Sequence, residues 1–171
     1  MVVHIVCMGV AGTGKSTLAR RLARELDGFA FAEGDDFHSA ENRARMSRGE
    51  PLTDEDRAPW LAAIRDWMAE KAEAGTSTVV ACSALKRRYR DVLREGGGRV
   101  FFVHIAPPDE TVRERLMKRA GHFMKVDQLD NQLAVLEPLE GDEDGVVVAD
   151  SHEPDRIITD ILPLLTRLDR D

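Results

Sequence analysis

Met8-Gly9-Val10-Ala11-Gly12-Thr13-Gly14-Lys15-Ser16-Thr17 has the form G-x-x-x-x-G-K-[ST], follows the apolar run from Val2 to Met8, and leads into a helical pattern that begins at Lys15. A glycine loop that joins a strand to a helix N-terminus presents backbone N–H groups to phosphate oxygens. Lys15 then supplies a mobile cation toward the β/γ-phosphates, and Ser16 offers its hydroxyl to Mg²⁺. An ordinary strand-to-helix corner needs one glycine. Here Gly9, Gly12 and Gly14 stand with Lys15 and Ser16 at the spacing phosphate geometry demands. Gly9, Val10, Ala11, Gly12, Thr13, Gly14, Lys15, Ser16 and Thr17 are therefore expected to cradle the phosphates of a nucleoside triphosphate.

Outward from this loop the chain alternates. Strand-like runs occur at Val2 to Met8, Phe29 to Ala32, Ser77 to Cys82, Arg99 to Ile105 and Gly145 to Ala149, separated by helical or mixed stretches. That pattern predicts an α/β fold, a five-stranded parallel sheet with helices on both faces. Leu18, Ala19, Leu22, Ala23 and Leu26 recur at helical spacing on the first helix, and Gly28 stops it. Between the second and third strands, helical stretches at Ser39 to Arg48 and Asp54 to Ala74 make a connection longer than a crossover requires. Thr53 or Asp54 can cap the longer one, and Trp60, Ile64 and Trp67 are expected on the core. The acidic run Glu140-Gly141-Asp142-Glu143-Asp144-Gly145 is expected as a solvated loop, and Arg87, Arg88 and Arg94 as a solvated helix face.

With 171 residues and 43% hydrophobic content, one domain with insertions is expected. The net charge of −7 argues against a partner that is nucleic acid, since sequence-independent binders cluster positive charge. Cys7 and Cys82 lie inside apolar strand runs and are expected as buried thiols in a reducing compartment. There is no N-terminal signal pattern and no apolar run of bilayer-spanning length, so the expectation is a cytoplasmic protein without a membrane partner.

The acids that face a bound phosphate are expected at the end of the second strand, in Glu33-Gly34-Asp35-Asp36-Phe37-His38, because the carboxyl ends of parallel strands form the ligand crevice. A carboxylate there can accept a hydroxyl proton or hold Mg²⁺ through water. Asp36 also suits a helix N-cap. Met124-Lys125-Val126-Asp127 lacks the Asn of a guanine-reading motif, and Asp150 follows the last strand, which is expected nearer the nucleoside than the γ-phosphate.

Gly34-Asp35-Asp36-Phe37-His38, Asn42 with Met46, the run from Gly49 to Leu61, Cys82-Ser83-Ala84-Leu85-Lys86-Arg87-Arg88-Tyr89-Arg90-Asp91 and Gly121-His122-Phe123-Met124-Lys125 together resemble the gluconokinases, over nearly the whole chain. The resemblance implies the P-loop kinase fold of shikimate and nucleoside monophosphate kinases, with a substrate-binding helical insertion at about 36–75 and a lid at about 119–127. It implies ATP and Mg²⁺ as cofactors, D-gluconate as the acceptor at its 6-hydroxyl, and a homodimer. By the same likeness Asp35 orients and deprotonates that hydroxyl and Arg57 binds the gluconate carboxylate, to which an Arg forks bidentately. His38, Arg45, Ser83, Lys86 and Arg90 are implied as further substrate contacts. Arg119, with Arg115 a turn before it, is implied as a lid cation over the transferring phosphate. His122 and Lys125 lie in the flap and can touch either substrate. Glu33 stands where members often carry Asp, a Mg²⁺ ligand through water, and Arg45 where they often carry Lys. Another small acceptor, shikimate-like or a nucleoside monophosphate, or a non-catalytic nucleotide-binding module, are the alternatives.

Overall fold

The computed structural model describes residues 1–120, 123–149, 153–168 and 170, the side chains of 119–120 and 123–127 excepted. Its strands are β1 (Val3–Met8), β2 (Ala30–Glu33), β3 (Thr78–Ala81), β4 (Arg99–Ile105) and β5 (Gly145–Val148), each within one residue of the expected run at either end. They form one parallel sheet in the order β2-β3-β1-β4-β5. The inner strands β1 and β3 are buried along their whole length, and β4 at all but its first residue, which is why they read as continuous apolar runs. The edge strands β2 and β5 are only partly buried.

The helices are α1 (Lys15–Glu25), α2 (Ala40–Ser47), α3 (Asp54–Glu73), α4 (Arg87–Arg94), α5 (Asp109–Ala120), α6 (Phe123–Val135) and α7 (Pro154–Leu168). Strand side chains alternate between faces, so Ile5, Cys7, Val79, Ala81 and Val103 meet α1 and α7 on one side. On the other side Val6, Met8, Val80 and Phe102 meet Trp60, Ile64 and Met68 of α3 and Tyr89 and Leu93 of α4. α3 begins in a capping box. Thr53 Oγ1 accepts from Asp56 N at 3.1 Å, and Asp56 Oδ2 accepts from Thr53 N at 2.8 Å. Burial raises the thiols of Cys7 and Cys82 to about 12, leaving both as unreactive neutral groups.

The acidic run before β5 departs from its expected role as a solvated loop. The Glu143 side chain is 0% exposed, and so is that of Arg90 beneath it. Their pairing is bidentate, with Nε donating to Oε1 at 2.7 Å and Nη2 to Oε2 at 3.0 Å. Arg94 also pairs with Glu143, and Arg87 forks onto Asp142 at 2.7 and 3.0 Å. Arg87 and Arg94 are thus clasps on this loop, not a solvated face. Arg88, 61% exposed, pairs with Asp54. Burial pushes the Glu143 carboxyl up, but the Arg90 bond, the Glu140 N–H and Arg94 outweigh it and leave the pKa at about 2. This carboxylate therefore stabilises the fold above its ordinary range, and the contribution is lost as pH falls through about 2. Glu143→Ala would strand the Arg90 charge in the interior. Urea unfolding is expected to show a loss of about 3–5 kcal/mol, and a loss under about 1 kcal/mol would contradict the clasp.

Candidate active site

The chain leaves β1 toward β2 and leaves β3 toward β4, so these adjacent strands send their connections in opposite directions along the sheet. Such a switch point opens a crevice at the strands' carboxyl ends. The phosphate loop leaves β1 there. Gly9 has φ 148° and a Cβ on it would sit 2.7 Å from the Ile105 carbonyl oxygen, so only glycine passes at this point. Gly9 N donates to Ser83 O at 3.2 Å, tying the loop to the segment after β3. Gly14 caps α1 without a side-chain hydrogen bond, and the helix has no acid in its first turn. The first N–H groups of α1, and the positive end of its dipole, are left to an anion.

Two cavities flank this loop. One of about 290 Å³ touches Gly12, Thr13, Gly14, Thr17, Arg115 and Pro154. The other, about 570 Å³, is walled by Lys15, Asp35, His38, Arg57 and Ser83 together with parts of α2 and α6. That size suits a small organic ligand. Burial lowers the pKa of Lys15, while the charges of Asp35, Cys82 and Glu33 pull it back up.

Asp35 stands in a 3₁₀ turn, Gly34–Phe37, directly after β2. A Cβ on Gly34 would collide with the Ala81 carbonyl oxygen, so glycine lets the turn pack against β3. The Gly34 carbonyl accepts the Trp60 indole N–H at 2.7 Å. His38 stacks on Trp60, with ring centroids 4.2 Å apart. Arg43 of α2 donates to the carbonyls of His38, at 3.2 Å, and of Asp36. Ser39, not Asp36, is the N-cap of α2. The turn bearing Asp35 is therefore held from α2, α3 and β3 at once. His38 Nδ1 is buried with no partner among the described residues. Burial chiefly lowers the His38 pKa; Asp35 opposes this, and Arg57 and Arg43 add to it, so the ring is neutral at neutral pH.

Arg57 donates to Tyr89 OH at 3.2 Å and lies 5.7 Å over its ring, and among the described residues no carboxylate pairs with it. Ser83 also lines the larger cavity. The structure sets three of the expected contacts elsewhere, each on an acid. Arg45 binds Asp56 at 2.8 Å and Glu50 at 3.5 Å, and Lys86 binds Asp54 at 3.1 Å. Arg90 is enclosed with Glu143 and also donates to the Ala84 carbonyl at 2.9 Å. Ala84 has φ 45°, a strained conformation for a residue with a side chain, and it follows Ser83 directly. Arg90 thus reaches the cleft through the backbone that carries Ser83. Glu33 ends β2 and acts on Lys15 by charge, outside both cavity walls. The side chains of Arg119, Lys125 and Asp127 lie outside the described residues, as do His122 and Asp150 altogether.

The cleft also has walls that the motifs did not point to, Arg43 from α2 and Gln128, Asn131 and Gln132 from α6, beside Met46 of the Asn42–Met46 block. The spacing of the three α6 residues, at i, i+3 and i+4, was the available signal, one polar stripe on one helical face.

Residues 4–139 match the family described as AAA domain. The gluconokinase of Gluconobacter oxydans is 46% identical over 158 residues, covering 92% of this chain and 88% of that protein. Among solved structures, a gluconokinase from Sinorhizobium meliloti has 43% identity and a TM-score of 0.86 over 96% of this chain and 92% of its own. An unliganded sugar kinase from a Janibacter species has 51% identity and a TM-score of 0.91 over 97% of this chain and 95% of its own. With identity at that level carried across more than nine-tenths of its length, this chain belongs to the gluconokinase family.

Proposed function

We propose that the chain transfers the γ-phosphoryl group of ATP to the 6-hydroxyl of D-gluconate, giving 6-phospho-D-gluconate and ADP. One observation carries this reading. The cleft beside the phosphate loop combines an acid near Lys15 with a guanidinium, Arg57, that no carboxylate neutralises among the described residues. A hydroxy acid needs both ends, a proton acceptor for the attacking hydroxyl and a fixed cation for its carboxylate.

In this reading Gly9 to Thr17 hold the ATP phosphates and Asp35 takes the proton as the hydroxyl oxygen bonds to phosphorus and the bond to the ADP oxygen breaks. Lys15 follows the charge on the transferred group. Neutral His38, with its unpartnered nitrogen, and Ser83 bind acceptor hydroxyls. Among the described residues no three metal-ligating side chains cluster. Ser16, in the first turn of α1, offers one hydroxyl oxygen beside the anion-facing N–H groups, a donor set that fits Mg²⁺, which keeps several waters and leans on substrate phosphates. Ser16 would hold it, with Glu33 reaching it through water. When bound it would supply charge neutralisation to the transferring phosphates.

The 36–75 insertion on one domain, and a lid at about 119–127 bearing Arg119 and His122, belong to the same proposal. So do a homodimer and a cytoplasmic location; light scattering reads the former, and a monomeric mass would remove it. Among the described residues no helix is long and apolar enough to cross a membrane.

ADP release measured with gluconate, shikimate and AMP tests the reaction. Turnover with gluconate is expected, and preference for either other acceptor would overturn it. Arg57→Ala is expected to raise KM for gluconate by about 10- to 100-fold, the worth of a charge-assisted bond, with KM for ATP within about twofold. Equal rises in both would remove the carboxylate role.

A further inference from the structure

α6 gives the acceptor cleft a wall that the transfer chemistry leaves unused. Gln128, Asn131 and Gln132 all line the cleft. Leu129 and Leu133, on the helix's other side, pack with Val10, Leu85 and Leu116. The apolar face fixes which way the carboxamides turn.

Two of the three are anchored at opposite ends of the cleft. Gln132 Oε1 accepts the N–H of Ala11, in the phosphate loop, at 2.6 Å. Gln128 Nε2 donates to the Met46 carbonyl, near the end of α2, at 3.2 Å. An amide N–H requires the oxygen of Gln132 and a carbonyl requires the nitrogen of Gln128, so both orientations follow from the bonds. Each anchor uses one end of the group and leaves the other to the cleft. A carboxamide accepts and donates without charge, as a hydroxyl does, and a row of them matches a chain of adjacent hydroxyls. Arg57 and Asp35 can read only the acceptor's two ends.

We propose that Gln128, Asn131 and Gln132 read the acceptor's inner hydroxyls, and that Gln132 determines specificity because its bond to Ala11 fixes the hydroxyl-reading wall against the phosphate loop. This rests on the sugar-acid reading above and adds to its hydroxyl contacts, His38 and Ser83, the wall that tells one hydroxyl pattern from another.

The test is the ratio of kcat/KM for D-gluconate to that for its C4 epimer, D-galactonate, in the wild type, Gln132→Met and Asn131→Ala. Asn131 is exposed and makes no bond to the phosphate loop, so its variant keeps the test alive if Gln132→Met folds poorly. The ratio is expected to fall about tenfold in Gln132→Met and about threefold in Asn131→Ala, the loss of one or part of one hydrogen bond. A lower rate on both acceptors with an unchanged ratio in both variants would overturn the proposal, because a purely structural role weakens both acceptors alike. If the wild type turns over no gluconate, the function proposed above fails by itself. The ratio is then read on the best acceptor of a sugar-acid panel against its epimer, where an unchanged ratio fails the wall independently.

Discussion

Asp35→Asn is expected to lower kcat for gluconate phosphorylation by about 10²- to 10⁴-fold, the range of a positioned general base, while the Kd for ATP stays near that of the wild type. The substitution keeps the size of the side chain and its hydrogen-bonding reach. It leaves intact the Gly34 carbonyl bond to Trp60 and the packing of Gly34 on β3, which set the turn. What it removes is the site that takes the proton. A loose transition state asks little of a base early in the reaction, which places the expected loss toward the lower part of the range. A second effect has a separate signature. Burial lowers the Lys15 pKa, and Asp35 is the largest of the charges that oppose this. Without that carboxylate the Lys15 pKa falls further, and Lys15 loses its proton earlier as pH rises. The residual activity of Asp35→Asn should therefore decline at lower pH on the alkaline side than wild-type activity does. Near-normal turnover in Asp35→Asn would reject the base assignment, and an unmoved alkaline limb would reject its coupling to Lys15.

The parts of this molecule that were legible in its sequence are those set by neighbours along the chain. β1 and β3 show as apolar runs because both their faces are covered, and the phosphate loop shows because its glycines, Lys15 and Ser16 lie within a few residues of one another. Asp35 is legible as a cleft residue for the same reason, standing just past a strand end, whereas His38 is reached through the family likeness of its block. The misplaced contacts share one cause. Lys86 and Arg90 each carry a charge that an anionic acceptor could use, and nothing local shows that a carboxylate claims it first. The claiming acids stand 32 residues away for Lys86, at Asp54, and 53 away for Arg90, at Glu143. Arg45 is taken by Asp56 across a turn of the chain, 11 residues on. Side-chain type gives the sign of a charge; only the fold says whether it is still available. Arg57 differs from these three because its hydrogen-bond partner among the described residues is a phenol, which leaves its charge unspent. The α6 wall escaped for the opposite reason, since a stripe of carboxamides on a helix reads as an ordinary hydrated face until the fold sets it against the phosphate loop.

Lys15→Met carries the other large expected effect, and its two consequences should run in opposite directions. Met keeps the unbranched stem and loses the charge, so phosphoryl transfer is expected to fall by about 10³-fold or more, as when a cation matched to the transferring group is removed. ATP binding should fall much less. The N–H groups at the start of α1 are uncapped by any side chain and still meet the phosphates. The folded state, by contrast, should lose nothing. Burial is the largest influence on Lys15 and lowers its pKa, so the folded chain binds this proton less readily than the unfolded chain does. Stability then rises with pH through the window between the two pKa values, and below it the protonated lysine opposes folding. An uncharged side chain of similar length removes that cost, and the melting temperature of Lys15→Met at neutral pH should equal or exceed that of the wild type. A lysine kept here against its effect on stability is one kept for the anion it meets. Activity lost together with a fall in melting temperature would make Lys15 a structural residue, and activity retained would move the phosphate site off this loop.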